Sequence, residues 1–125
     1  MDNKLKILVA EDEQDARMIY LDILTTAGYE VDGAEDGNDA IAKLSKKKYD
    51  LVLLDIIMPN LDGIAVLKEL KAHPDKYGNM PVYMLTNIGS EVAIENAISL
   101  GAKGYILKSD TDPAELAELI KKAQE

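Results

Sequence analysis

Apolar residues along this chain fall into two kinds of run, short near-continuous ones and longer ones spaced at three and four. The short runs are KILVAE (Lys6 to Glu11), YEVDGA (Tyr29 to Ala34), YDLVLLD (Tyr49 to Asp55), MPVYMLT (Met80 to Thr86) and GYILK (Gly104 to Lys108). Each has the length of a β-strand, and most are rich in branched or aromatic side chains. YEVDGA alternates and is the weakest, which predicts a strand near an edge. The unbroken LVLL predicts a strand covered on both faces. Between the strands the spacing turns helical. One predicted face carries Ala16, Ile19, Tyr20, Ile23, Leu24 and Ala27, and the next carries Ala40, Ile41 and Leu44. The third carries Ile64, Leu67 and Leu70, and the fourth Val92, Ile94, Ala97 and Ile98.

Punctuation agrees with this division. Gly28 and Gly101 stop the first and fourth helices, and Asp36, Asp62 and Ser90 can cap the second, third and fourth. Asp112, Pro113 and Glu115 combine a capping residue, a proline at the first turn and an acid three residues on, a strong start for a fifth helix. Five strands alternating with five helices imply an α/β domain, a parallel sheet with helices on both faces, spanning residues 1–125. Ligands of such sheets bind beyond the carboxyl ends of the strands. The residues at those ends are Glu11, Asp12 and Glu13, then Asp55, then Thr86 and Asn87, then Lys108 and Ser109.

Composition narrows the picture. A chain of 125 residues fits one core, and with no cysteine it has neither a disulfide framework nor a thiolate metal site. The net charge of −9 argues against direct nucleic-acid binding, which rests on phosphate neutralisation by Lys and Arg. No apolar run has membrane-spanning length and the first residues lack a signal-peptide cleavage pattern, so the expected setting is the cytoplasm, away from membranes.

Asp55 closes an apolar run, where an ionised carboxylate is costly unless paired. If Glu11 and Asp12 converge on it, repulsion between two carboxylates about 4 Å apart is roughly 4 kcal/mol at an effective dielectric of about 20. A divalent cation relieves that repulsion. All-oxygen ligation favours Mg²⁺, Mn²⁺ or Ca²⁺, and few protein ligands lean towards Mg²⁺. A carboxylate beside such a cation, with Lys108 near, can attack phosphorus. Singly, each residue has a plainer reading: Asp12 or Glu13 as a helix cap, Thr86 as a turn residue, Lys108 as a solvated cation. His73, in KAHPDKYGNMP, reads as a surface residue. Convergence at one sheet edge is what favours chemistry.

With these motifs in order, ILVAEDE, LVLLDIIMPNLDG, VYMLTN and GAKGYILKS, the chain resembles response-regulator receiver domains of the chemotaxis-regulator type. The resemblance spans essentially the whole chain, and the D-x-x-M-P-x-x-D-G stretch after a buried strand is its most specific part. It implies a flavodoxin-like, doubly wound sheet of order 2-1-3-4-5. It implies that Asp55 accepts phosphate from a sensor histidine kinase or phosphotransfer protein. Glu11, Asp12, Asp55 and the backbone carbonyl of Ile57 would hold Mg²⁺, with Mn²⁺ as a substitute. Thr86 and Tyr105 would form the switch, Lys108 would contact the phosphoryl oxygens, and the fourth helix, fifth strand and fifth helix would present the partner face. Ile57 and Ile88 would flank the path of a hydrolysing water and, being unable to orient it, prolong the phosphorylated state.

Three departures from the family pattern stand out. Glu11 replaces the commoner Asp, and its extra methylene suggests metal contact through water. Asn87 stands where Ala or Gly is usual, narrowing access to Asp55. Ser109 replaces a proline usually preceded by a cis bond, and without proline a trans bond is expected. A flavodoxin-type electron carrier is disfavoured because AEDEQD would repel a flavin phosphate. A haloacid-dehalogenase-type phosphatase needs D-x-D, and Ile57 occupies its second Asp position. An unphosphorylated pseudo-receiver is disfavoured by the complete set Glu11, Asp12, Asp55, Thr86 and Lys108. The expected function is a phosphorylation-activated switch rather than an enzyme. It would be a regulator with no output domain, or else a receiver from a larger response regulator or hybrid kinase.

Overall fold

Five runs of branched and aromatic residues pair into one parallel sheet, β1 (Lys6–Ala10), β2 (Glu30–Ala34), β3 (Leu51–Asp55), β4 (Val82–Thr86) and β5 (Gly104–Leu107). The strand order is β2-β1-β3-β4-β5. This computed structural model describes residues 4–87, 91–108 and 112–123. The connecting helices are α1 (Gln14–Thr26), α2 (Gly37–Lys46), α3 (Gly63–Ala72), α4 (Pro74–Tyr77), α5 (Glu91–Ser99) and α6 (Pro113–Ala123). The expected order holds, with one addition. The loop around His73 contains the short helix α4, begun by Pro74, so the described helices number six rather than five.

The sheet separates two cores. Leu8, Val52, Leu54, Val82 and Met84 point towards α2, α3 and α5, where they meet Leu44, Val66, Leu67 and Ala97. Ile7, Val9, Leu53, Leu85 and Ile106 point the other way, onto Tyr20 and Leu24 of α1 and Leu116 and Ile120 of α6. All five residues of β3 are buried, and each such leucine contributes roughly 1.5–3 kcal/mol. That central strand is what carries Asp55 into the protein.

Caps appear where the sequence put them. Asp36 Oδ1 accepts from Asp39 N–H at 2.7 Å, Asp62 Oδ1 from Ala65 N–H at 2.9 Å and Asp112 Oδ1 from Glu115 N–H at 2.8 Å. Gly28 and Gly101 end their helices at φ 101° and 109°. Ser90 lies outside the described residues. Four apolar positions expected to face inward do not. Ile19 is 59% exposed, Val92 82% and Ile98 44%, and Ala27, the C-cap of α1, is exposed. A residue next to the anchor on a helix points about 100° away from it. Ile19 stands in that relation to Tyr20, and Ile98 to Ala97. Val92, five positions from Ala97, lies about 140° round the helix.

Candidate functional site

Parallel register brings the carboxyl ends of β1, β3, β4 and β5 together. Asp55 is the last residue of β3 and is 4% exposed. The loop after it folds back sharply. Gly63 N–H donates to Ile56 O at 2.8 Å, and a Cβ on Gly63 would lie 2.1 Å from Asp55 O, so only glycine fits. Ile57 N–H donates to Asp55 Oδ1 at 3.2 Å, while the Ile57 side chain stands 73% exposed at the rim.

From the end of β5, Lys108 places its Nζ 2.5 Å from Asp55 Oδ2 and 2.7 Å from Glu11 Oε1. Glu11 is fully buried. Its Oε2 accepts from Glu13 N–H at 3.1 Å, whereas Oε1 faces the lysine as an ion pair without an aligned hydrogen bond. The longer side chain of Glu11 thus reaches the lysine directly. Asp12 is exposed, and one carboxylate oxygen from each of Glu11, Asp12 and Asp55 lies within 4.8 Å of the others. Thr86 ends β4, 2% exposed, with its hydroxyl donating to Asn87 O at 3.2 Å. Lys108 N–H donates to Thr86 O at 2.9 Å, tying the last two strand ends together.

These residues border one cavity of about 380 Å³, lined by Glu11, Asp12, Glu13, Asp55, Ile56, Ile57, Thr86, Asn87 and Lys108. Tyr105 is not among them; it stands 47% exposed on β5. Ile88, Ser109 and the Lys108–Ser109 bond lie outside the described residues.

One cation between two buried acids leaves the site electrostatically unbalanced. Burial first, and then the neighbouring Glu11, push the Asp55 carboxyl up to about 7, against the pull of Lys108. Burial also opposes charge on Glu11, but Asp55, Lys108 and the Glu13 N–H together hold it below its ordinary value. Burial opposes the Lys108 ammonium too, and both carboxylates outweigh it, raising that group. The excess negative charge is met either by a proton on Asp55 or by a further cation. Three carboxylates with no sulfur or nitrogen ligand suit a hard divalent ion such as Mg²⁺.

Two features had no counterpart in the sequence reading. Arg17, the sole arginine of the chain, donates from Nη1 to Glu11 O at 2.7 Å and holds the acidic loop on α1. Asn60, after Pro59, adopts φ 68° and donates to Asp36 Oδ2 at 2.6 Å. Arg17 follows Glu11 by six residues, and that spacing alone carries no signal. An Asn at a turn, tolerant of positive φ, was the available sign for the second.

The profile of the response regulator receiver domain family matches residues 7–121. A probable transcriptional regulator ycf27 from Cyanophora paradoxa is 40% identical over 106 residues, covering 85% of this chain and 43% of that protein. The chain thus spans less than half the length of that relative. Chemotaxis protein CheY from Thermotoga maritima is 35% identical, covering 94% of this chain and 95% of that protein. Among solved structures, the chemotaxis response regulator CheY4 of Vibrio cholerae superposes with a TM-score of 0.88 at 29% identity, covering 97% of this chain and 99% of that one. The receiver domain of NtrX from Brucella abortus reaches 0.82 at 34% identity, covering 94% and 96%. Among the described residues, no helix is long and apolar enough to cross a membrane.

Proposed function

We propose a division of labour among these residues, from the premise that the chain belongs to the response regulator receiver domain family. Such a domain serves phosphorylation-activated two-component signalling, and receiver domains bind Mg²⁺ through acidic residues. Asp55 is the phosphoacceptor. The observation that carries this is the meeting of Asp55, Glu11, Thr86 and Lys108, with exposed Asp12, around one cavity at the end of a buried strand.

A carboxylate oxygen of Asp55 attacks the phosphorus of a phosphohistidine on a sensor kinase or phosphotransfer protein. The new P–O bond forms as the P–N bond breaks, and the electron pair returns to the leaving imidazole. Glu11, Asp12, Asp55 and the backbone carbonyl of Ile57 would hold Mg²⁺, or Mn²⁺ in its place. When bound, that ion offsets negative charge on the transferring oxygens. Lys108 exchanges its contact with Asp55 for one with the phosphoryl group, still adding positive charge there. The chain thus works as a switch that phosphorylates itself from a donor and slowly loses the group, in the cytoplasm.

Thr86 gives up its bond to Asn87 O and turns to the phosphoryl oxygens. Tyr105 turns inward from its half-exposed position, and the α5–β5–α6 face changes for a downstream protein. Ile57 and Ile88 offer no hydrogen bond to an incoming water, which favours a long-lived acyl phosphate. The receiver either acts alone, as a chain the length of the Thermotoga relative would, or serves a longer regulator like the Cyanophora one. The test is incubation with acetyl phosphate and Mg²⁺ followed by intact-mass measurement. The parent gains one phosphoryl group and Asp55→Asn gains none; modification that persists in the variant moves the nucleophile elsewhere.

A further inference from the structure

The turn between β2 and α2 contributes no side chain to the cavity, yet it touches both loops that carry its carboxylates. On one side, Ala34 O accepts from Glu11 N–H at 3.0 Å. On the other, Asp36 Oδ2 accepts from Asn60 Nδ2 at 2.6 Å, while Oδ1 of the same carboxylate caps α2. Gly37 packs so closely on the loop after β3 that a Cβ would lie 1.9 Å from Leu61 O.

The loop end of this contact is an unusual conformer. Asn60 is the one non-glycine residue with positive φ among the described residues, at 68°. Leu61 N–H reaches back across it to Pro59 O at 2.7 Å, closing a three-residue turn. A conformer of this kind persists only where its surroundings hold it. The Asp36 carboxylate, an ionised acceptor for the Asn60 amide, is the contact suited to do so. From Asn60 the loop returns to the site, through Gly63 N–H on Ile56 O and Ile57 N–H on Asp55 Oδ1.

We propose that Asp36 and Asn60 are positioning residues for the metal site: their hydrogen bond braces the loop of residues 56–62 against the β2–α2 turn and so fixes Asp55 and the main chain at Ile57 for a divalent cation. This rests on the metal reading given above. The brace makes no contact with the ion and works through main-chain geometry, as partners behind metal ligands do.

The test exchanges the two side chains. Asp36→Asn keeps an oxygen for the helix cap but turns an amide towards the Asn60 amide. Asn60→Asp sets carboxylate against carboxylate. In the double variant the bond re-forms with its polarity reversed and net charge unchanged. Mg²⁺ affinity of the full chain is measured by calorimetry, and amide exchange is followed at Ile57 and Gly63. Each single variant is expected to bind Mg²⁺ roughly tenfold more weakly, with faster exchange at both amides, and the double variant to regain most of both. For Asn60→Asp, long-range charge alone predicts the opposite, since an added carboxylate attracts Mg²⁺. Single variants that bind as the parent does, or a double variant no better than the singles, overturn the brace. If the parent itself takes up no Mg²⁺, the metal reading has failed, and exchange at Ile57 and Gly63 then decides the brace alone.

Discussion

Asp55 sits between opposing charges, the Glu11 carboxylate and the Lys108 ammonium, and burial tips the balance against its ionised form. Its carboxyl titrates near 7 in the fold against an ordinary value of 3.8. Between those values the folded chain keeps a proton that the unfolded chain has lost, so this group makes stability fall as pH rises. Asp55→Asn removes that titration. Without metal, the variant should therefore gain on the parent from about pH 4 to about pH 7, and the gap should close towards acid. Urea unfolding across that range measures it; a difference that stays flat with pH refutes the account. The placement of Asp55 at the site was legible because a carboxylate closing an apolar run needs a reason. Arg17 was not, because its contact is to a main-chain carbonyl and any long donor on α1 would read the same in sequence.

The edge strand β2 pairs with β1 on one side and is tied further by polar side chains. The Tyr49 hydroxyl donates to Asp32 Oδ2 at 2.6 Å. Lys47 Nζ lies 3.0 Å from the same oxygen and 2.7 Å from Glu30 Oε2. Charge along an exposed edge also discourages pairing with another chain. The Tyr49 hydroxyl is the leading reason that Asp32 is held below its ordinary value, and Lys47 adds to it against burial. A depressed carboxylate contributes stability above its unfolded value and loses it as pH falls through the folded one. Tyr49→Phe keeps the buried ring and removes the donor, so it should cost about 1 kcal/mol at neutral pH. The cost should shrink as pH falls below the ordinary value of 3.8 and through the lower folded one. Equal destabilisation at pH 7 and pH 2.5 in urea titrations would argue for a packing defect instead. YEVDGA was readable as an edge because charges alternate with its apolar positions. The exposed Ile19, Val92 and Ile98 were misread because periodicity marks the direction of a stripe and not its width. Helix α4, four residues long, is too short to have a period at all.

Across the whole molecule the sheet order follows from alternating strands and helices together with the resemblance, and the site follows from the sheet. A route from that site to a distant face, through Thr86 and Tyr105, was expected from the resemblance alone. Thr86 lies buried at the end of β4, opposite Leu107 in register, and Tyr105 lies two residues back on β5, opposite Met84. Among the described residues the Thr86 hydroxyl donates to the neighbouring Asn87 carbonyl at 3.2 Å, a bond readily exchanged for a charge-assisted one to a phosphoryl oxygen. Large apolar side chains remain exposed on the elements beyond, Val92 and Ile98 on α5 and Tyr105 on β5. A two-state change that moves Tyr105 would alter how much apolar surface this side offers a partner. Thr86→Ala should accept a phosphoryl group from acetyl phosphate as the parent does, because the hydroxyl supplies neither the nucleophile nor a metal ligand. Its Tyr105 ring resonances should stay where they were, whereas those of the parent shift on phosphorylation. If the variant's Tyr105 moves as far as the parent's, the signal leaves the site by a route that does not pass through the Thr86 hydroxyl.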